Sequence, residues 1–154
     1  VTAADFDPPF TASRLTGLAV RLDPYAERLV RQRSGLLRLS LYGRDGTTIY
    51  SSAFSHRGRV LPLDGTPLLA GALAGQVGVE ASPLEAPEEA DLREQGDGAL
   101  VIVAPFVANG RIVGAYRVYQ DLAPFRPIRP LVWTVVLGGF AVSQDVEFHG
   151  GFLR

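Results

Sequence analysis

The chain has 154 residues, 47% of them hydrophobic and 20% charged, with 17 Gly and 11 Pro. That is enough chain and apolar content for one ordinary domain with a core, which excludes disordered and collagen-like architectures. Fifteen basic residues against sixteen acids give a net charge of −1, which excludes nucleic-acid binding by bulk charge; the lack of Cys excludes disulfides, thiolate chemistry and Cys-based zinc sites.

Other compositional features narrow the class further. His56 and His149 are too few for a His-only metal cage, so neither a metal nor a cofactor is expected. Every basic residue is Arg, Met is absent and Asn occurs only at Asn109. This bias suggests a GC-rich bacterial coding sequence. Val1 is not an initiator Met, so a processed product or an interior fragment is expected.

In chain order, residues 1–11, with Asp5, Asp7, Pro8 and Pro9, read as an extended lead-in. Over 12–33, Leu15, Leu18, Ala19, Leu22, Tyr25, Ala26, Leu29 and Val30 recur in steps of three and four, the stripe of an amphipathic helix. Asp23-Pro24 inside it fits either a kink or two abutting helices. Arg14, Arg21, Arg28, Arg31 and Arg33 decorate this segment as a solvated polar face or a partner-binding strip.

The period then changes to two. Leu37, Leu39 and Leu41 alternate with Arg38, Ser40 and Tyr42, predicting a half-buried strand whose more polar face holds Arg38. Asp45-Gly46 predicts a hairpin turn into a second strand over 47–52. Thr66-Pro67 reads as the cap and first residue of a helix over 68–74 that stops at Gly75. A third strand is expected over 76–82. Residues 80–97 carry seven acids against Arg93 alone, a solvated loop with one helical turn. A divalent-cation site is the alternative, but the spacing of an EF-hand loop is missing.

The strand 99–107, the Asn109-Gly110 turn and the strand 111–121 form the clearest hairpin. Strands arriving in hairpins indicate an α+β domain with an antiparallel sheet. Beyond Pro124, Pro127 and Pro130, residues 130–144 are fifteen positions without a charge. A bilayer span needs ~20, so the segment is either a truncated membrane helix or a last core element. Regular helix is expected to begin only near Pro130, after a bent connector. The tail 146–154 has no readable pattern.

Motifs for chemistry are largely missing: there is no nucleophile elbow, zinc-protease helix, Walker loop or dinucleotide fingerprint. His56 is the one base available to a nucleophile, and no acid stands at a suggestive spacing from it. Ligand recognition fits better. Arg38, Arg117 and Tyr119 project from strands, where a guanidinium and a phenol can hold a small carboxylate or phosphate. Tyr50, His56 and Arg57 lie at the end of the first hairpin, and loops there often carry function. The plainer readings are an Arg117 in solvent or paired with an acid of 80–97, and an exposed His56.

The order of these pieces carries a resemblance. A long helix precedes Leu-Leu-Arg-Leu-Ser-Leu-Tyr-Gly-Arg-Asp-Gly-Thr-Thr-Ile-Tyr-Ser-Ser, and the Asn-Gly hairpin ends in Gly114, Val118, Tyr119 and Asp121. This arrangement resembles the extracytoplasmic Cache-type, PAS-like sensor domains of bacterial receptors. The resemblance implies an α+β fold: a PAS-like antiparallel sheet with a long N-terminal helix and a C-terminal apolar segment that is a candidate transmembrane helix. It divides the chain into a lead-in (1–11), a sensor domain (12–125), an apolar exit segment (126–145) and an unassigned tail (146–154).

The implied function is a small-molecule input module of a receptor such as a sensor histidine kinase or diguanylate cyclase. It would stand on the periplasmic side of the inner membrane, attached through flanking segments and without catalysis of its own. A homodimer through helix 12–33 is also expected. The alternatives are a ligand-free dimerisation module of the same fold and, behind it, a small hydrolase using His56.

Overall fold

The computed structural model describes residues 1–32 and 35–123. The expected exit segment 126–145, its connector, the tail 146–154 and the first helix's end at Arg33 lie outside the described residues.

The apolar stripe becomes helix α1 (Ala12–Gln32), which runs through Pro24 as a single helix. The period-two segment becomes β1 (Leu36–Gly43) and β2 (Thr48–Ser51). Gly46 takes the positive φ of 82° that their turn demands. The Asp45 carboxylate holds that turn, accepting from the Thr47 amide at 3.0 Å and the Thr47 hydroxyl at 2.8 Å. Helix α2 (Pro67–Leu73) starts at the predicted proline and ends before Gly75, whose φ is 100°. Thr66 stands at the cap position, but its hydroxyl donates backward to the Pro62 carbonyl at 2.8 Å and caps nothing.

Three more strands complete the sheet: β3 (Gly78–Ser82), β4 (Ala99–Ala108) and β5 (Arg111–Asp121). Asn109 and Gly110 both adopt positive φ, at 52° and 71°, as the tight turn between β4 and β5 requires. The strand order is β2-β1-β5-β4-β3, with every neighbour antiparallel. Among the described residues the last strand therefore pairs with the first at the middle of the sheet. This is the α+β, PAS-like arrangement expected from the sequence.

Both faces of the sheet are covered. On one, α1 packs Leu18, Ala19 and Ala26 against Leu41 and Tyr50; on the other, Leu69 and Ala72 of α2 meet Val101, Val103, Ala115 and Tyr119. This double cover corrects the reading of β1. Arg38, Ser40 and Tyr42 are buried, while Leu37 and Leu39 are only half-buried. Alternation correctly separates the two faces of a strand, but it cannot say that the polar one is also roofed.

Two further expectations are corrected. The lead-in is not simply extended: Ala3–Phe6 forms a 3-10 turn and buries Phe6, stacked on Phe106 with ring centroids 4.6 Å apart. Gly114 makes this possible, because a Cβ there would strike the Phe6 ring and the Tyr42 carbonyl. Nor is the acidic stretch a solvated loop. Leu84 and Leu92 are fully buried in the second core, and a 3-10 turn at Pro87–Glu89 buries Glu89. Arg93 ties the stretch to itself, donating to the carbonyls of Leu84, Glu85 and Ala86. Residues 83–97 thus form an acidic cover over the sheet face that holds Arg38, Ser40 and Tyr42.

Candidate functional site

Register decides which side chains meet. Ser40 of β1 lies opposite both Ser51 of β2 and Arg117 of β5, and Arg117 lies opposite Val103 of β4. The adjacent row runs Arg38, Tyr119, Val101, Glu80 across β1, β5, β4 and β3. Side chains along a strand share a face every second residue. Arg38, Arg117, Tyr119 and Glu80 therefore stand together on the face beneath α2 and the acidic cover.

Arg117 is the unusual member. It is 6% exposed, and Nη1 donates to the Tyr119 hydroxyl at 3.2 Å. Its Nε is buried without a hydrogen-bond partner. Among the described residues no carboxylate comes within ion-pair distance of it, so the predicted pairing with an acid of 80–97 does not form. Burial opposes the charge, but the fields of Tyr42, Tyr119 and Glu80 outweigh it and raise the Arg117 pKa. Arg117 and Tyr119 border a cavity of about 240 Å³ whose remaining wall includes Glu80, Ser82, Glu89 and the start of α2. Glu89 is held there by the Ser82 hydroxyl, which donates to Oε2 at 2.7 Å.

Arg38 does the pairing with the acidic cover. From 3% exposure it donates through Nη1 to Asp91 Oδ1 at 2.9 Å, to the Glu88 carbonyl at 2.9 Å and to His56 Nε2 at 3.0 Å. Its guanidinium carbon lies 4.4 Å from the centroid of the Tyr119 ring, within cation–π range. Burial raises the Tyr119 pKa against the opposing charges of Arg117 and Arg38. The phenol therefore stays neutral and can both donate and accept.

His56 is neither exposed nor positioned for nucleophilic catalysis. Burial and then the Arg38 charge lower its pKa, so it is neutral near pH 7. Nε2 then accepts from Arg38, with Asp91 Oδ1 3.5 Å away. Asp91 is the acid that linear spacing did not offer.

Tyr50 and Arg57 sit elsewhere, toward α1. The Tyr50 hydroxyl donates to Asp23 Oδ1 at 3.0 Å, and Arg57 donates through Nη2 to the same oxygen at 2.5 Å. Arg57 Nε also donates to the Ser51 carbonyl at 2.7 Å. Burial, reinforced by Asp23, raises the Tyr50 pKa. The six residues singled out from sequence therefore divide into Arg38, His56, Arg117 and Tyr119 on one face, and Tyr50 with Arg57 at α1. Sequence reasoning missed Glu80, Ser82, Glu89 and Asp91. The parity of β3 could have placed Glu80 and Ser82 on one face, but nothing local marks Glu89 or Asp91. Among the described residues no three or more His, Asp or Glu side chains converge as a metal cage. No described helix is long and apolar enough to cross a membrane.

No family model and no curated protein matches this sequence. Among solved structures, the sensor domain of the histidine kinase DctB from V. cholerae aligns with a TM-score of 0.53 at 20% identity, over 73% of this chain and 40% of that one. A GAF domain/HD domain protein from Geobacter sulfurreducens aligns with a TM-score of 0.45 at 21% identity, over 80% of this chain and 93% of that one. The likeness to the DctB domain is one of fold, and it agrees with the PAS-like fold expected from the sequence. This chain matches less than half of that domain's length.

Proposed function

We propose that this chain is the small-molecule-binding input module of a bacterial signal-transduction receptor such as a sensor histidine kinase. Its flanking segments attach it to the inner membrane with the domain on the extracytoplasmic side, and catalytic output lies in another part of the receptor. One observation carries the ligand reading: Arg117, whose buried Nε has no hydrogen-bond partner, lines a cavity between sheet and cover. Leaving a buried donor unsatisfied costs ~1–3 kcal/mol, more for a charged group. A small carboxylate or phosphate would remove that cost. The fold shared with the DctB sensor domain supports the receptor class. His56 Nε2 is taken up by Arg38, and among the described residues no serine or threonine hydroxyl hydrogen-bonds to it.

The ligand would bridge sheet and cover, and so favour the conformation in which the two are closed. It can shift that equilibrium only as far as its affinities for the two states differ. The test is a thermal-shift panel of small carboxylates and phosphates on the full chain and on Arg117→Gln. Protection of the full chain that is lost in the variant is the expected result.

A second reading rests on an apolar groove of about 290 Å³ between α1 and the sheet, lined in part by Tyr25 and Leu29, which are exposed. We propose that two copies pair through this helix. A flat ligand panel with melting that depends on protein concentration would leave a dimerisation module alone standing.

A further inference from the structure

We infer that protonation of His56 unlatches the acidic cover from β1, which makes acid an input to this module separate from any ligand. His56 Nε2, Asp91 Oδ1 and the Glu88 carbonyl oxygen all lie within 3.0 Å of one atom, Arg38 Nη1. Arg38 belongs to β1, the two oxygens to the cover, and His56 to the 3-10 turn after β2. Three separate stretches of chain therefore meet at a single nitrogen.

Arg38 has only donors, so Nε2 must accept and the neutral ring carries its proton on Nδ1. Protonation removes that acceptor, because an imidazolium donates from both nitrogens. Two cations then face each other where a 3.0 Å hydrogen bond stood, and away from bulk water like charges repel more strongly. Asp91 Oδ1, 3.5 Å from Nε2, is within ion-pair reach of the charged ring. The ring draws Asp91 away from Arg38, which keeps only the Glu88 carbonyl on the cover.

The charged groups facing His56 are Arg38 from β1, Asp91 from the cover and Arg59 from the chain after its own turn. Burial, then Arg38, with less from Arg59, hold its pKa below the ordinary value against the pull of Asp91. The side chain is 15% exposed, so protons reach it from solvent. A cover that lets Arg38 and His56 part binds the proton more readily than the latched one. Acid favours the loosened state by that difference in affinity. Leu84 and Leu92 remain anchored in the core, so the stretch around 88–91 loosens while the domain stays folded.

The experiment is amide hydrogen exchange on the full chain at pH 7.5 and 5.5, with no ligand added and the direct effect of pH on exchange corrected. The Glu89 and Leu92 amides donate within the cover, to the Ala86 and Glu89 carbonyls. Their protection should fall several-fold more than that of Val103 and Val118 in the sheet. In His56→Gln, which keeps an acceptor beside Arg38 but does not titrate, that difference should vanish. Ring-proton NMR should show His56 of Asp91→Asn titrating at lower pH than in the native chain, because the carboxylate favours the proton. Cover protection that tracks the sheet at both pH values overturns the inference. So does a pH-dependent loss that persists in His56→Gln, or a His56 titration unmoved or raised by Asp91→Asn. None of these outcomes bears on the ligand-binding reading.

Discussion

Arg117 is held in its charged form by the groups around it. Burial opposes the charge, but Tyr42, Tyr119 and Glu80 outweigh it and raise the pKa, so the charge favours the folded chain. Arg117→Met is therefore expected to lower the stability of the unliganded chain by about 1–3 kcal/mol, through loss of the bond to the Tyr119 hydroxyl, while removing ligand protection, as urea unfolding and thermal shift would report. An unchanged or raised unfolding free energy would instead make the guanidinium a burden on the fold. His56 provides the pH dependence. Its folded pKa lies below the ordinary 6.5, with burial the first cause and Arg38 the second. The unfolded chain therefore binds the proton more readily, and this stability is fully present above about pH 6.5 and is lost as pH falls toward the folded value. Unfolding free energies measured from pH 7.5 to 5.5 should slope downward for the native chain and less steeply for His56→Gln. Equal slopes would remove His56 from the effect.

Among the elements, the acidic cover departs most from its sequence-based expectation. Leu84 and Leu92 are fully buried, and Leu84 takes a φ of 60° that leucine rarely adopts. Leu92→Ala is expected to cost about 2–5 kcal/mol in urea unfolding, the range for truncating a core leucine. A solvated loop would lose almost nothing. The hairpins were legible because Asp45-Gly46 and Asn109-Gly110 encode their turns within two residues. The cover was not, because its two anchors obey no helix or strand period and are surrounded by acids. The site divides in the same way. Alternation placed Arg117 and Tyr119 on one face, since parity is local. Arg38 and Asp91 are 53 residues apart, and Arg57 and Asp23 are 34 apart. Pairs so distant become neighbours only once sheet order and the packing of α1 are set.

At the scale of the molecule, strand order sets the gradient of rigidity. β5 pairs along its length with β1 and β4, whereas β2 and β3 are edge strands of the sheet. Amide exchange should accordingly be slowest at Val101, Val103 and Val118 and faster along α1, whose outer side packs on nothing described. Fast exchange at those three valines, comparable to α1, would contradict this order of stability.

The 3-10 turn Phe54–His56 and the residue after it give the rim of the sheet a mechanical character. His56 holds Arg38, which grips the cover on one face; its chain neighbour Arg57 holds Asp23 of α1 on the other. Two consecutive residues thus join the cover to α1 around the edge of the sheet rather than through its strands. The link meets α1 beside Pro24, where the missing amide leaves the helix ladder short of a rung.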